Sequence, residues 1–196
     1  MNGAGGRRVR LRAALGLIGC AALGYGLFRA LPDKSELLDA IGDPAPDLSS
    51  VSGALSAAAA EAGVDRSLLF ALAAVESAGN AKARSRAGAV GLLQLEAATA
   101  KELAKELGIT PSALDLENPA QNARLGARYL ARMLADFAGD EVLALAAYNA
   151  GPGNVRRWLA RAADADSRTV IEREGFAETR RHVDRALRFK AIYAAR

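Results

Sequence analysis

Glu76 is a carboxylate in a place that does not favour a negative charge. Leu69, Leu72 and Ala73 precede it by seven, four and three residues, which puts all four side chains on one apolar face of a predicted helix. The glutamate also lies in the last helical turn before Gly79, where the helix dipole disfavours an anion. Both effects favour the protonated carboxylic acid, which can act as a general acid. A solvent-facing glutamate at a helix rim shows the same spacing, so periodicity alone leaves both interpretations open.

Two polar clusters follow along the chain. Residues 79–91 are rich in glycine, but they lack the Gly-Lys-Ser/Thr ending and the preceding strand of a phosphate-binding loop. They are typical of a loop that lets the backbone approach a ligand closely. The second cluster is Tyr148-Asn149-Ala150-Gly151 at a predicted helix end, where asparagine is also a common helix terminator. Neither cluster by itself distinguishes a binding site from the ordinary end of a helix.

Helices are predicted to carry these residues almost throughout. From residue 51 onward alanine and leucine are abundant, and no sustained alternation of β-branched residues predicts a strand. Asp65, Asn118-Pro119 and Asp140 are typical helix start signals. The predicted helices cover 51–62, 65–78, 97–107, 119–137, 140–149, 152–162 and 178–194. About 145 residues can bury a real core, so a compact all-α domain is expected over 51–196.

Composition excludes several classes of protein. One Cys and one His among 196 residues rule out an intramolecular disulfide framework and leave too few ligands for an ordinary zinc site. The excess of 26 basic over 22 acidic residues would favour nucleic acid as a partner. However, residues 1–31 contain five of the arginines and no acid, which leaves 21 basic and 22 acidic side chains in 32–196. No nucleic-acid partner, metal or cofactor is therefore expected.

Residues 1–31 have the pattern of an export signal or membrane anchor. Four arginines between residues 7 and 12 precede an apolar run over 13–28. Within it, Leu17-Ile18-Gly19-Cys20 resembles a bacterial lipobox, whose cysteine is lipidated. An uncleaved inner-membrane anchor, a lipoprotein and a cleaved signal remain open, and all three place the rest of the chain on the periplasmic face of the envelope. Residues 32–50, with three prolines, are predicted to be a linker.

Five motifs stand in one order along the exported part of the chain. They are Glu76-Ser77; Gly88-Ala89-Val90-Gly91-Leu92-Leu93-Gln94-Leu95; Asn118-Pro119 with Asn122 and Gly126; Ala146-Ala147-Tyr148-Asn149-Ala150-Gly151; and Glu178-Thr179-Arg180. In this order they resemble the lytic transglycosylases of the soluble type, bacterial enzymes with a lysozyme-like α-helical domain that cleave peptidoglycan. The resemblance covers residues 60–194. The chain departs from the family's usual pattern at four positions. The family usually has methionine where this chain has Leu93, and proline where it has Ala97. It usually has an apolar residue at the position of Glu96 and an aromatic residue at that of His182.

The resemblance implies substrate-binding roles for five positions. Ser85 matches the serine that lies beside the catalytic acid and the N-acetyl group of the substrate. Gln94 and Tyr148 match residues that line the cleft around the scissile bond. Asn149 matches an asparagine of structural character, and Glu178 matches a carboxylate of the cleft.

For Glu76 the resemblance implies the role of the family's single catalytic acid. The family's reaction breaks the β-1,4 bond between N-acetylmuramic acid and N-acetylglucosamine and leaves 1,6-anhydro ends. Peptidoglycan glycan strands are thus the expected substrate, with the membrane contacted through the N-terminal segment. Glu96, if it lies near the cleft, would further favour the protonated form of Glu76. An alternative of another class is a glycan-binding or wall-remodelling accessory factor of an envelope-spanning secretion or pilus machine.

Overall fold

The computed structural model describes residues 44–162 and 164–196. The predicted signal or anchor at 1–31, including Cys20, and the predicted linker up to residue 43 lie outside the described residues. Pro44–Arg196 form one compact unit. Within the part of the chain that the structure describes, no helix is both long enough and apolar enough to cross a bilayer.

Helices build this unit, which confirms the predicted all-α class. Among residues 44–162 and 164–196 there is no strand, and Val90 forms isolated antiparallel bridges with Arg84 and Leu95. Short 3-10 helices span Ser49–Val51 and Pro111–Ala113. The α-helices are α1 (Ser52–Ala62), α2 (Arg66–Ser77), α3 (Ala97–Glu106), α4 (Pro119–Asp136), α5 (Glu141–Ala150), α6 (Pro152–Arg161), α7 (Ser167–Glu174) and α8 (Ala177–Ala194).

The three predicted helix start signals are confirmed by their hydrogen bonds. The Asp65 side chain accepts a hydrogen bond from the Leu68 N–H at 2.7 Å ahead of α2. The Asn118 side chain accepts from two N–H groups in the first turn of α4, and the Asp140 side chain accepts from one in α5 at 2.9 Å. Each cap satisfies N–H groups that have no partner within the helix, and such caps typically contribute about 1 kcal/mol.

The sequence pattern does not predict α7. Its eight residues are mainly polar and only two of them, Val170 and Ile171, are buried, which is too few to display a helical period. Asp166 caps the helix by accepting a hydrogen bond from the Thr169 N–H at 3.1 Å. Because α7 packs against α5 and α6, its formation depends on tertiary contacts more than on its own periodicity.

The core is centred on α2, in which every residue from Ser67 to Ala74 is buried. α2 packs against α8, and the two helices run in opposite directions, since the ring of Phe70 contacts Tyr193 whereas Glu76 contacts His182. α4 packs against α1 and α5. A second apolar cluster joins α3 to α4 and consists of Leu95, Ala100, Leu103, Ala104 and Leu125.

The compact unit begins at Pro44 rather than at residue 51, where the sequence analysis ended the linker. Leu48 is only 3% exposed, and the Tyr193 hydroxyl donates a hydrogen bond to the Pro46 carbonyl oxygen at 2.7 Å. Prolines favour extended backbone whether a segment is free or packed on a domain, so they do not mark this boundary. Residues 44–50 are therefore part of the folded unit.

Candidate active site

One cleft of about 500 Å³ brings together all six residues for which the sequence analysis predicted a role. Its walls come from the last turns of α2 and α5, the first turns of α3 and α8, the middle of α4 and the loop between α2 and α3. The lining includes Glu76, Ser85, Gln94, Tyr148, Asn149 and Glu178, with Glu96, Thr99 and Tyr129 beside them.

Glu76 is mostly enclosed but open to the cleft. Its side chain is 16% exposed, and Leu69, Leu72 and Ala73 on the same face of α2 are fully buried. The apolar face predicted for this helix is thus confirmed, and the solvent-facing alternative is wrong. The Oε1 atom lies 2.9 Å from Nε2 of His182 on α8. A carboxyl group held in this way can give a proton to a ligand in the cleft and take one back.

The loop between α2 and α3 presents Ser85 and Gln94 to the cleft. The side-chain nitrogen of Gln94 donates to the carbonyl oxygens of Gly91 at 2.9 Å and Ala83 at 3.2 Å. The Gln94 backbone has a φ of +46°, which is uncommon for a residue other than glycine. The Ser85 hydroxyl oxygen accepts from the Ala89 N–H at 3.0 Å. Gln94 therefore offers its carbonyl oxygen to a ligand, and Ser85 offers a hydroxyl proton.

Asn122 holds this loop from the protein interior. Its fully buried side chain accepts from the Leu93 N–H at 2.7 Å and donates to the carbonyl oxygens of Val90 at 3.0 Å and Leu116 at 2.9 Å. Gly91 packs directly on the Asn122 amide with a φ of +85°, so a side chain at Gly91 would collide with it and would also be strained. These contacts explain why a glycine-rich loop and a distant asparagine occur together.

Tyr148 closes the cleft at the last turn of α5. Its hydroxyl donates to the Leu93 carbonyl oxygen at 2.9 Å, and its ring packs against Tyr129 with 5.0 Å between the ring centres. Desolvation raises the pKa of Tyr148 well above its ordinary value, and the nearby Glu76 acts in the same direction. The phenol consequently stays neutral and serves as a hydrogen-bonding and packing surface rather than as a base.

Two further carboxylates, Glu178 and Glu96, stand on the cleft wall. Glu178 lies exposed in the first turn of α8, where the helix dipole stabilises its negative charge. Beside it the Thr179 hydroxyl donates to the Asn149 side-chain oxygen at 2.7 Å and ties α8 to α5. Glu96, whose position near the cleft the sequence left open, is among the lining residues. Over residues 44–162 and 164–196, however, no three His, Cys, Asp or Glu side chains lie close enough together to hold a metal ion.

Three features of the cleft are not predicted by the sequence pattern: Thr99, Tyr129 and the partner of Glu76. Tyr129 lies on the apolar face of α4, so its pattern does not separate a core residue from a cleft residue. Thr99 lies in the first turn of α3, where a polar side chain is ordinary. In the sequence, His182 stands out only as a departure from the family pattern. No local signal pairs it with Glu76, because 106 residues separate the two.

The family model of the transglycosylase SLT domain matches residues 53–171, which hold five of the six cleft residues predicted from the sequence. The chain belongs to this family. This SLT domain chain is 37% identical over 133 residues to the soluble lytic murein transglycosylase of Escherichia coli (strain K12) and to that of Salmonella typhimurium. Each alignment covers 66% of the chain and 21% of the relative.

Solved structures of lytic transglycosylases have the same fold as this SLT domain. An inactive mutant of the lytic transglycosylase Slt from Pseudomonas aeruginosa superposes with a TM-score of 0.69 at 41% identity. The 70 kDa soluble lytic transglycosylase of Escherichia coli gives a TM-score of 0.68 at 33% identity. Both comparisons cover 73% of this chain and 24% of the other. The chain therefore spans only 21% to 24% of the length of these relatives.

Proposed function

We propose that this SLT domain cleaves the glycan strands of peptidoglycan between N-acetylmuramic acid and N-acetylglucosamine and leaves 1,6-anhydro ends. The observation that carries the proposal is the place of Glu76, a mostly enclosed carboxyl group that opens on a cleft also lined by Ser85, Gln94 and Tyr148. The relatives named soluble lytic murein transglycosylase support this class of substrate. Ordinary glycosidases employ two carboxylates, whereas this reaction requires one that acts twice.

In the first step Glu76 acts as a general acid. Its carboxyl proton passes to the glycosidic oxygen, the bond from that oxygen to C1 of N-acetylmuramic acid breaks, and N-acetylglucosamine leaves with a free 4-hydroxyl. The N-acetyl group of the muramic sugar stabilises the positive charge that develops at C1. Proton transfer from a positioned group accelerates such a step by about 10²–10⁴-fold.

In the second step the Glu76 carboxylate acts as a base. It accepts the proton of the 6-hydroxyl on the same muramic sugar, and the 6-oxygen bonds to C1 to close the anhydro ring. The proton lost in the first step is thereby restored, and no water is consumed. An intramolecular nucleophile is effective here because it is present at a high effective concentration.

The remaining cleft residues bind and orient the sugar. Ser85 donates its hydroxyl proton to the N-acetyl carbonyl, and the Gln94 side-chain oxygen accepts from a sugar hydroxyl or amide. Tyr148 supplies a neutral aromatic wall. Asn149 acts indirectly by holding α5 to α8, while Glu178 accepts hydrogen bonds from sugar hydroxyls at the open end of the cleft.

Replacement of Glu76 by Gln tests the assignment, because the amide keeps the shape of the side chain and removes the acid. The full-length chain is incubated with purified sacculi, and the soluble products are identified by mass spectrometry. The wild-type chain is expected to release muropeptides that are lighter by one water than the products of hydrolysis. The E76Q variant is expected to lose activity by about a hundredfold or more.

A matched control replaces Glu172, an exposed carboxylate of α7 outside the cleft lining, by Gln. The E172Q variant is expected to cleave at the wild-type rate. Full activity of E76Q would refute Glu76 as the acid. Products that carry reducing ends alone would instead identify hydrolysis by an activated water.

We also infer that the chain acts at the periplasmic face of the envelope and is held at the membrane through residues 1–31. The arginine-flanked apolar run and the proposed substrate support this location. Attachment occurs either through the uncleaved run or through a lipid on Cys20. Components of an envelope-spanning machine are candidate partners, which a pull-down from solubilised membranes can identify.

A further inference from the structure

The only histidine of the chain is buried against the proposed catalytic acid. The His182 side chain is 6% exposed, and its Nε2 lies 2.9 Å from Oε1 of Glu76. In the described residues this is the one hydrogen bond that Glu76 makes through its carboxyl group. The second oxygen, Oε2, has no protein partner there and belongs to a side chain that lines the cleft.

The other nitrogen of the imidazole decides which tautomer is present. Nδ1 of His182 is inaccessible to solvent and has no hydrogen-bond partner among the described residues. A proton on Nδ1 would be a buried donor without an acceptor, which carries the full penalty of desolvation. Both the imidazolium and the tautomer protonated at Nδ1 have such a proton. The neutral tautomer protonated at Nε2 leaves Nδ1 as a bare acceptor instead of an unpaired buried donor, and its Nε2 then donates to Oε1.

We propose that His182 is a positioning residue, which by donating its Nε2–H to Oε1 keeps the acidic proton of Glu76 on Oε2. The inference rests on the proposed function. With Oε1 occupied as an acceptor, the proton given to the glycosidic oxygen leaves from Oε2, and the proton of the 6-hydroxyl returns to Oε2. The imidazole itself neither gains nor loses a proton in either step.

The surrounding groups are consistent with this arrangement. The Tyr148 hydroxyl of α5 donates to the Leu93 carbonyl oxygen and stays neutral, so it does not compete for Oε1. On α8 itself, Thr179 donates to Asn149, and Glu178 faces the cleft. Glu96 of α3 lines the same cleft. The ionisable groups that line the cleft beside the pair are thus acids and a neutral phenol, while on α8 the buried Arg185 Nε follows His182 by three residues.

A single histidine makes the tautomer directly measurable. The full-length chain, labelled with ¹⁵N-histidine and held in detergent micelles, is studied by long-range ¹H–¹⁵N correlation near neutral pH. The expected spectrum shows a protonated Nε2 and a bare Nδ1. In Glu76→Ala the acceptor is gone, so the Nε2 proton is expected to exchange faster with water. A protonated Nδ1 in the wild-type chain would overturn the proposal.

Kinetics of two variants separate positioning from packing. His182→Gln retains an N–H donor that cannot ionise, and His182→Phe retains an aromatic ring without a donor. We expect H182Q to keep kcat within about threefold of the wild type, and H182F to lose about ten- to a hundredfold in kcat with little change in KM. In the proposed role, the imidazole neither gains nor loses a proton in either step. Replacing it by the amide of H182Q, which cannot ionise, is therefore expected to leave the shape of the pH profile of kcat unchanged.

The outcomes are distinguishable. Wild-type kcat in H182F, or a pH profile whose form changes in H182Q, would overturn the positioning role. If H182F does not fold, the kinetics of H182Q and the tautomer measurement still test whether His182 positions Glu76 through its Nε2–H. A wild-type chain that does not cleave sacculi would refute the proposed function, whereas the spectrum of His182 would still test the hydrogen bond on its own.

Discussion

The buried amide of Asn122 has three hydrogen-bond partners in the segments that surround it. Leu93 and Val90 belong to the loop that carries Ser85 and Gln94, and Leu116 precedes α4. A single side chain thus determines the position of two proposed sugar-binding residues that it does not touch. Loss of this amide would leave three buried backbone groups without partners.

We therefore expect Asn122→Ala to lower the free energy of unfolding by about 3 kcal/mol or more. Urea denaturation followed by circular dichroism measures the change. The control is Asn80→Ala, because the Asn80 side chain is exposed and accepts one local hydrogen bond from the Lys82 N–H at 2.9 Å. That control should shift the unfolding free energy by less than about 1 kcal/mol. Equal effects of the two substitutions would contradict the anchoring role of Asn122.

Leu93, at which relatives usually carry methionine, is fully buried. Its side chain packs on Gly126 of α4, where a Cβ atom would come within 2.7 Å of the Leu93 Cβ. The absence of a side chain at Gly126 makes this close packing feasible. Because Leu93 contributes to the core and Tyr148 binds its carbonyl oxygen, the departure from the family pattern affects packing rather than the cleft surface.

At the scale of elements, two helices end with alanine in the left-handed region. Ala78 follows α2 with a φ of +52°, and Ala138 follows α4 with a φ of +54°. Glycine is the usual residue at such ends, since a Cβ atom costs about 1–2 kcal/mol in this conformation. Both alanines therefore carry backbone strain that a glycine would relieve.

Ala138→Gly is expected to raise the free energy of unfolding by about 1 kcal/mol, because it relieves the left-handed strain at an exposed position. Chemical denaturation gives the comparison with the wild type. Ala57→Gly, at an exposed site within α1, is the matched control and should lower the stability by about 1 kcal/mol. A loss of stability in both variants would show that Ala138 is not strained.

At the scale of the whole molecule, we propose that residues 1–31 hold the helical domain near its substrate at the membrane. We expect the full chain to fractionate with membranes after expression in its natural host. The intact mass of the protein extracted from membranes distinguishes an uncleaved chain from one processed and lipidated at Cys20. Recovery of a shortened chain in the soluble fraction would refute the attachment.

Cys20→Ser is the corresponding variant. If the apolar run over 13–28 is itself the anchor, the variant stays in the membrane fraction with an unchanged chain length. If a lipid on Cys20 provides the anchor, the variant is not processed to a lipidated form and the mass shift disappears. The extracted wild-type chain and the extracted Cys20→Ser variant should cleave sacculi at the same rate, because the cleft lies wholly within the compact unit from Pro44 onward.

Local rules in the sequence determined the helical class, most helix boundaries and the apolar setting of Glu76. Asp65, Asn118 and Asp140 begin their helices because a short polar side chain can reach N–H groups two or three residues ahead. The spacing of Leu69, Leu72 and Ala73 places Glu76 on a buried face for a similarly local reason. The motif order was enough to indicate the family.

Tertiary structure alone decided what Glu76 contacts. His182 reaches it across 106 residues because α2 and α8 pack side by side in opposite directions, and no periodicity within either helix contains that information. The same holds for Asn122 beneath the loop and for α7, which has too few apolar residues to be recognised alone. Hydrogen bonds between distant segments depend on the packing of the whole core, whereas capping and helical periodicity depend on neighbours within a turn or two.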